Sequence, residues 1–324
     1  MSVAVKVSVV IPVYNPGKYF TKCLESLASQ SYNDAEYIFV DDCCTDDSIV
    51  TLREFLSVHS DFAAKSRLLT HDTNRGCAAA RKTGMQAAVG EYIIHVDSDD
   101  YVESDFLEQL AGEAMSTHAD VVICDIVKER GNGKCCVLTT PSGKTADYYL
   151  ALALSGKIYC TLCNKLIRRS LFTANEIWPI EGMDMYDDLS VFVRVLCHVE
   201  TIHVVKKTLY HLNRSYDNHV SSMFIGIYNK ESFKLCDMLK SYLQKVRYYD
   251  RLKLYVDFFN VEASADKIKK MTLQEMKDDK ERIRDRITPK SVISHPSCSV
   301  AMKIQLLLFI YKLNHLSSFF NSLR

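Results

Sequence analysis

Three carboxylates, Asp97, Asp99 and Asp100, fall within four residues directly after the apolar run Tyr92–Val96. Packed this closely they repel one another unless a cation shares them. Hard oxygen donors of this kind select Mg²⁺ or Mn²⁺. Taken alone, such a cluster also reads as a solvated acidic loop. Two further acidic pairs follow apolar or periodic stretches: Asp41-Asp42 after Tyr37–Val40, and Asp187-Asp188 ahead of a helical pattern in which Leu189, Phe192, Val193 and Leu196 share a face. By itself the last pair reads as acids at a helix N-terminus, and Arg81 by itself as an exposed helix charge.

The elements that must position these groups alternate. Val7–Val13, Tyr37–Val40, Arg67–Thr70 and Tyr92–Val96 read as strands of the buried, parallel kind. Between them, helices are expected over about 18–29, from a Thr45 cap to Val58, and over 78–89, where alanines and Gly84 allow close packing on the sheet. Ser104 is expected to cap a helix reaching Thr117, and 121–127 to form another strand. Regular β-α alternation of this kind means a parallel sheet with helices on both faces and right-handed crossovers. The segments Pro12-Val13-Tyr14-Asn15, Asp41-Asp42 and Asp97–Asp100 then converge on one rim, where open α/β sheets bind ligands. There a planar base could lie against Tyr14 with Asp42 accepting its imide N–H, and the acidic cluster could hold a metal bridging a diphosphate. Neither GxGxxG nor GxxxxGK[ST] is present, which disfavours dinucleotide dehydrogenases and P-loop NTPases. The phosphate charge falls to a divalent cation and Arg81.

Beyond residue 130, Gly131-Asn132-Gly133 reads as a hairpin turn. Residues 228–286 form a helical layer, and 301–320 an apolar-rich helix. The chain has 324 residues with 40 basic and 40 acidic side chains, and zero net charge argues against a nucleic-acid partner. The balance is uneven, since after Asp285 there is no acid, while Arg286, Lys290, Lys303, Lys312 and Arg324 remain. Twelve cysteines without framework spacing read as reduced thiols, and Cys160-x-x-Cys163 with Cys135-Cys136 matches no common zinc site. No signal peptide and no membrane span are expected.

The blocks VSVVIPVYN, YIFVDDCCTDDS, NRGCAAARKTG and GEYIIHVDSDDYV, in this order, resemble family 2 glycosyltransferases. The resemblance is close over about 7–125 and looser to Ser222. It implies a GT-A fold: α/β, Rossmann-like, with a mostly parallel central sheet, helices on both faces and a C-terminal helical extension. The catalytic domain would span 1–222, with a nucleotide-sugar half at 1–125 and an acceptor half at 126–222, and the extension 223–324. Carried over by position, the likeness places Pro12, Val13, Tyr14 and Asn15 around the nucleotide and Asp42 on the uracil, with Asp41 the alternative. Asn74, Arg81, Asp97 and Ser98 would line the sugar-diphosphate pocket. Asp97 and Asp99 match the metal-binding DxD pair for Mn²⁺ or Mg²⁺. Asp188 matches the catalytic base, with Asp187 beside it. Asn164–Arg169 resembles the stretch leading to the acceptor side, and His211 and Arg214, with Ser221-Ser222, a loop closing over the donor. Cys43-Cys44 replaces the usual Gly-Ser, Lys82 a common Asn, and Asp187 a common Glu.

The function implied is metal-dependent, inverting transfer from a UDP-sugar to a glycan or lipid-linked acceptor, in bacterial surface polysaccharide synthesis. An acceptor hydroxyl must lose its proton as it attacks, and a carboxylate in reach can take it. The competing reading is a non-catalytic nucleotide-sugar-binding or assembly protein of the same fold. A nucleotidyltransferase should show a basic, glycine-rich first loop that is not here. Residues 301–324 read either as a peripheral contact with the inner face of the cell membrane, for an otherwise cytoplasmic enzyme, or as a helix packed on protein, including in a homo-oligomer.

Overall fold

The β-branched run at the amino end forms β1 (Val7–Val13), with all seven residues buried. The computed structural model describes residues 7–130, 135–214, 225–270, 281, 283, 285–295 and 298–311. β2 (Ala35–Asp41), β3 (Ser66–Thr70) and β4 (Tyr92–His95) join β1 in parallel, in the order β3-β2-β1-β4. The crossovers run through α1 (Phe20–Ala28), α2 (Ser48–Val58) with α3 (Ser60–Ala63), and α4 (Cys77–Ala87). From β1 the chain moves to one side for β2 and β3, then returns to the other for β4. The carboxyl ends of β1 and β4 therefore flank the switch point where such sheets form a crevice.

The remaining strands are β5 (Tyr101–Val102), β6 (Val121–Arg130), β7 (Cys135–Leu138), β8 (Lys165–Arg168) and β9 (Ile202–Arg214). They extend the order to β3-β2-β1-β4-β8-β6-β9-β5, with β7 on β6. The parallel arrangement holds from β3 to β4. Beyond it the sheet is mixed: β8 runs antiparallel to β4 and β6, β7 to β6 and β5 to β9, while β6 and β9 are parallel. Only the β6 to β7 connection is a short return of the kind that joins antiparallel neighbours. The Gly131-Asn132-Gly133 turn lies outside the described residues, as do Ser221 and Ser222. The helices of this half are α5 (Phe106–Thr117), α6 (Ala146–Leu154), α7 (Arg169–Asn175) and α8 (Asp187–Leu196).

Two expected caps are not formed. α2 begins at Ser48 without a side-chain cap, because Thr45 is bound to Asn15: its N–H donates to Asn15 Oδ1 at 2.8 Å and its hydroxyl accepts from Asn15 Nδ2 at 2.9 Å. α5 begins at Phe106, so that Asp105 and not Ser104 stands at its N-cap, without a side-chain bond. α4 does lie close to the sheet, since a Cβ at Gly84 would collide with Val10 Cγ1.

The described chain divides into two units, 1–149 with 158–222, and 150–157 with 223–324. The second is helical, with α9 (Ile225–Lys245), α10 (Tyr249–Lys270), α11 (Pro289–Ser294) and α12 (Val300–Ile310). α11 opens with a capping box between Thr288 and Ser291 and with proline at its first position. Among the described residues no helix is long and apolar enough to cross a membrane.

Candidate active site

Arg81 is the hub of the rim. It projects from α4, is buried, and reaches three carboxylates carried by two different segments. Nη2 donates to Asp97 Oδ1 at 2.7 Å, just past the end of β4. Nη1 donates to Asp187 Oδ2 and lies 3.1 Å from Asp188 Oδ1, both in the first turn of α8. The two acids that are neighbours in sequence differ in exposure. The Asp187 side chain is 4% exposed and that of Asp188 is 24%. Asp187 is thus committed to Arg81, while Asp188 also faces outward. Burial pushes both carboxyls above the usual range, and Arg81 works against that rise. Burial opposes the Arg81 charge, yet Asp187, Asp188 and Asp97 outweigh it and hold the guanidinium more firmly protonated than usual.

The acidic cluster after β4 divides in the same way. Asp97 and Asp99 are half-buried, whereas Asp100 is buried and anchors the loop to β9. Its carboxylate accepts from the Tyr210 hydroxyl at 2.8 Å and from the Asn213 N–H at 2.8 Å. Tyr210 Oη accepts in turn from the Asp97 N–H at 3.1 Å, and Asn213 Nδ2 donates to the Asp99 carbonyl at 3.2 Å. Burial, then the charges of Asp99 and Asp97, raise the Asp100 pKa. Ser98 is buried beside them. Two half-exposed carboxylates suit a hard divalent cation. Among the described residues no group of three His, Cys, Asp or Glu could hold one alone.

Tyr14 is 51% exposed at the end of β1, while Pro12 and Val13 are buried within the strand and serve to present it. Asn15, at φ 48°, spends its side-chain amide on Thr45 and Asp46. Asp42 is buried, and its carboxylate accepts from His71 Nδ1 at 2.7 Å and from the N–H groups of Arg75 and Gly76 at 2.9 and 2.8 Å. A carboxylate offers about four lone-pair sites, and these three donors use most of them. Asp41 accepts from the Cys44 N–H at 2.8 Å. Asn74 is exposed in the loop that Asp42 holds.

His211 does not join the rim as its place in the closing stretch suggested. It stacks on Tyr101, and its ring nitrogens lie 2.8 Å from Glu103 Oε1 and 3.3 Å from Glu129 Oε1. Both nitrogens are therefore occupied by carboxylates rather than open to metal or phosphate. The Arg214 backbone closes β9 against Arg130, and its side chain lies outside the described residues.

Several residues here were not singled out from sequence. Asp184 Oδ1 accepts from the Ala78 N–H at 2.9 Å and so caps α4, which has no cap of its own. Glu181 accepts from Arg75 Nη2 at 2.9 Å. His71 links Asp42 to Thr83, which lies 2.9 Å from its Nε2. The one local hint was a helix opening after Gly76 with nothing nearby to satisfy its first N–H groups.

The profile of Glycosyl transferase family 2 matches residues 8–174. EpsH of Bacillus subtilis (strain 168), which carries a glycosyltransferase name, is 30% identical over 265 residues, covering 79% of this chain and 74% of its own. The poly(ribitol-phosphate) beta-N-acetylglucosaminyltransferase TarS of Staphylococcus aureus (strain Mu50 / ATCC 700699) is 28% identical over 68% of this chain and 38% of its own. The crystal structure of S. aureus TarS 1-349 superposes with a TM-score of 0.59 at 19% identity, covering 98% of this chain and 92% of that one, and shares the GT-A fold. With the profile spanning more than half of the sequence and EpsH alike over most of both chains, the protein belongs to glycosyltransferase family 2 and is a glycosyltransferase.

Proposed function

We propose that the enzyme moves a sugar from a UDP-sugar to a hydroxyl of a glycan or lipid-linked glycan, with inversion and with Asp188 as general base. The observation that carries this is Arg81, one buried guanidinium that ties the outward-facing Asp188 to Asp97 of the acidic cluster. A base for the acceptor hydroxyl and a carboxylate of the donor side are thereby spaced by a single rigid group. Burial makes Asp188 a better proton acceptor than a free carboxylate, and Arg81 opposes its protonation before the acceptor arrives. Asp187, spent on Arg81, orients that guanidinium. Release of the acceptor proton to Asp188 accompanies attack on the anomeric carbon, and with one free carboxylate no covalent sugar intermediate is required.

Asp97 and Asp99 would hold Mg²⁺ or Mn²⁺ together with diphosphate oxygens. When bound, the cation neutralises charge on the departing nucleotide. Tyr14 offers a ring for the base, and Asp42, with Asp41 beside it, an acceptor for its imide. A UDP donor is supported by the solved complex of S. aureus TarS 1-349 with UDP-GlcNAc, TM-score 0.56, and a divalent metal by a mannosyltransferase from Pyrobaculum calidifontis solved with GDP-Man and Mn²⁺, TM-score 0.54. A role in bacterial surface polysaccharide is supported by the named substrate of TarS. We place the enzyme at the inner face of the cell membrane, since Val300, Ile304 and Tyr311 leave an exposed apolar stripe on and just after α12.

The test is UDP release from UDP-glucose, UDP-galactose and UDP-GlcNAc with Mn²⁺. Asp188→Asn should lower the rate of the best donor about 10²–10⁴-fold, the usual worth of a general base. Equal, near-zero rates for wild type and variant would favour a binding protein instead.

A further inference from the structure

Lys165 is a fully buried lysine, the first residue of β8, paired with Ile123 of β6. Lysines are almost never buried to this degree without a counter-charge. No carboxylate lies within ion-pair distance of it among the described residues. Its ammonium instead donates to the carbonyls of Tyr159 at 3.0 Å and Thr161 at 2.5 Å and to Asn164 Oδ1 at 2.7 Å. These use all three of its protons. Nζ also sits 4.7 Å above the ring of Phe192, which is one helical turn beyond Asp188 on α8. Burial lowers the Lys165 pKa, and among the groups that resist this is the charge of Asp188.

The segment that Lys165 gathers packs on the helix that carries the base. Leu162 lies between the carbonyls that Lys165 binds and the start of β8, and the Nζ contact with Phe192 seats this turn on α8, the helix whose first turn carries Asp188. The turn is closed by the Lys165 N–H on the Leu162 carbonyl at 3.1 Å. Asn164 pins it to β6 through Nδ2 on the Cys124 carbonyl at 2.5 Å. Without the ammonium, the Thr161 carbonyl would lose its buried partner, a loss that costs enough to make the turn rearrange. We infer that Lys165 is a positioning residue for the transfer step: it folds the 159–164 turn and seats it on Phe192, so that α8 holds Asp188 in place. This rests on Asp188 being the base. Arg81 supports Asp188 from the α4 side, and Lys165 supports it from β8.

The experiment is Lys165→Met in the full chain, with UDP release from the best of the three donors above and UDP affinity by calorimetry. A fall in kcat of about 10–100-fold is expected, with donor KM and UDP affinity within about twofold, since the variant disturbs the base and not the nucleotide side. On an Asp188→Asn background the same change should cost less than about twofold, because residues acting through one group are non-additive. An unchanged kcat, a parallel loss of UDP affinity, or the full effect in the double variant would overturn the proposal. If Lys165→Met does not fold, Phe192→Leu decides: a kcat loss of threefold or more at unchanged UDP affinity supports it, and wild-type kcat rejects it. Wild-type kcat in Asp188→Asn would instead reject Asp188 as base, an outcome distinguishable from these.

Discussion

A guanidinium buried among three carboxylates compensates charges that could not otherwise remain there. Arg81→Met should leave Asp187 buried without its cation, and removing one partner of a buried pair typically costs about 3–5 kcal/mol. Chemical denaturation would show it as a lower midpoint, and an unchanged midpoint would mean that Asp187 is held some other way. Arg81→Lys keeps a charge but not the planar fork that spans Asp97, Asp187 and Asp188 together. It should retain more stability than Arg81→Met while still losing kcat. The pH profile follows from Asp188. Burial raises its folded pKa, so it holds its proton to higher pH than a free aspartate near 3.9. Only the deprotonated form can accept the acceptor proton, so kcat/KM should fall as pH drops through a limb lying above about 4, as pH-rate measurement would show. A limb at or below about 4 would exclude Asp188 as the titrating base. That Arg81, Asp97 and Asp188 meet was legible by likeness to known blocks. Asp184 was not, because its bond to the Ala78 N–H spans 106 residues and is made by a loop without periodicity.

Among the elements, α4 depends most on a glycine. Gly76 precedes it at φ 89° and ψ 163°, a region open essentially to glycine alone. A Cβ there would meet the Asp184 carboxylate at 2.5–2.8 Å. Gly76→Ala combines backbone strain of about 1–3 kcal/mol with displacement of the Asp184 cap. Lower thermal stability should therefore come with weaker UDP binding, because the Gly76 N–H also fixes Asp42. Calorimetry showing full UDP affinity would separate the loop from the nucleotide site. The strands and most helices could be read because β-branched runs and apolar periodicity are local signals. The Thr45 and Ser104 caps could not, because Thr45 was taken by Asn15, and helix starts are decided by which partner reaches the loop first. The mixed sheet beyond β4 escaped for a related reason: the four-residue β8 is too short to carry a direction in its sequence.

At the scale of the whole molecule, the described residues of the second unit present a distinctive surface. Val300, Ile304 and Tyr311 are exposed at helical spacing, Ile293 is exposed on α11, and from Arg286 to the end the sequence has five basic residues and no acid. Arg286 is already paired with Asp237, and Lys303 donates to the Ile293 carbonyl, so part of that charge is tied down. An apolar stripe with a basic surplus binds an anionic bilayer through buried area plus about 1 kcal/mol per nearby Lys or Arg. The chain should therefore sediment with vesicles rich in phosphatidylglycerol and much less with neutral ones. Screening shortens the reach of charge from about 8 Å at physiological salt to about 3 Å at 1 M, so high salt should release most of the bound protein. Deleting 301–324 should abolish vesicle binding while leaving UDP release from the soluble donors unchanged, because every group placed at the site lies before residue 223. If the deletion sediments with the same vesicles as the full chain, the stripe is covered by protein rather than lipid, and a sedimentation-velocity shift from dimer to monomer would identify that partner as a second copy.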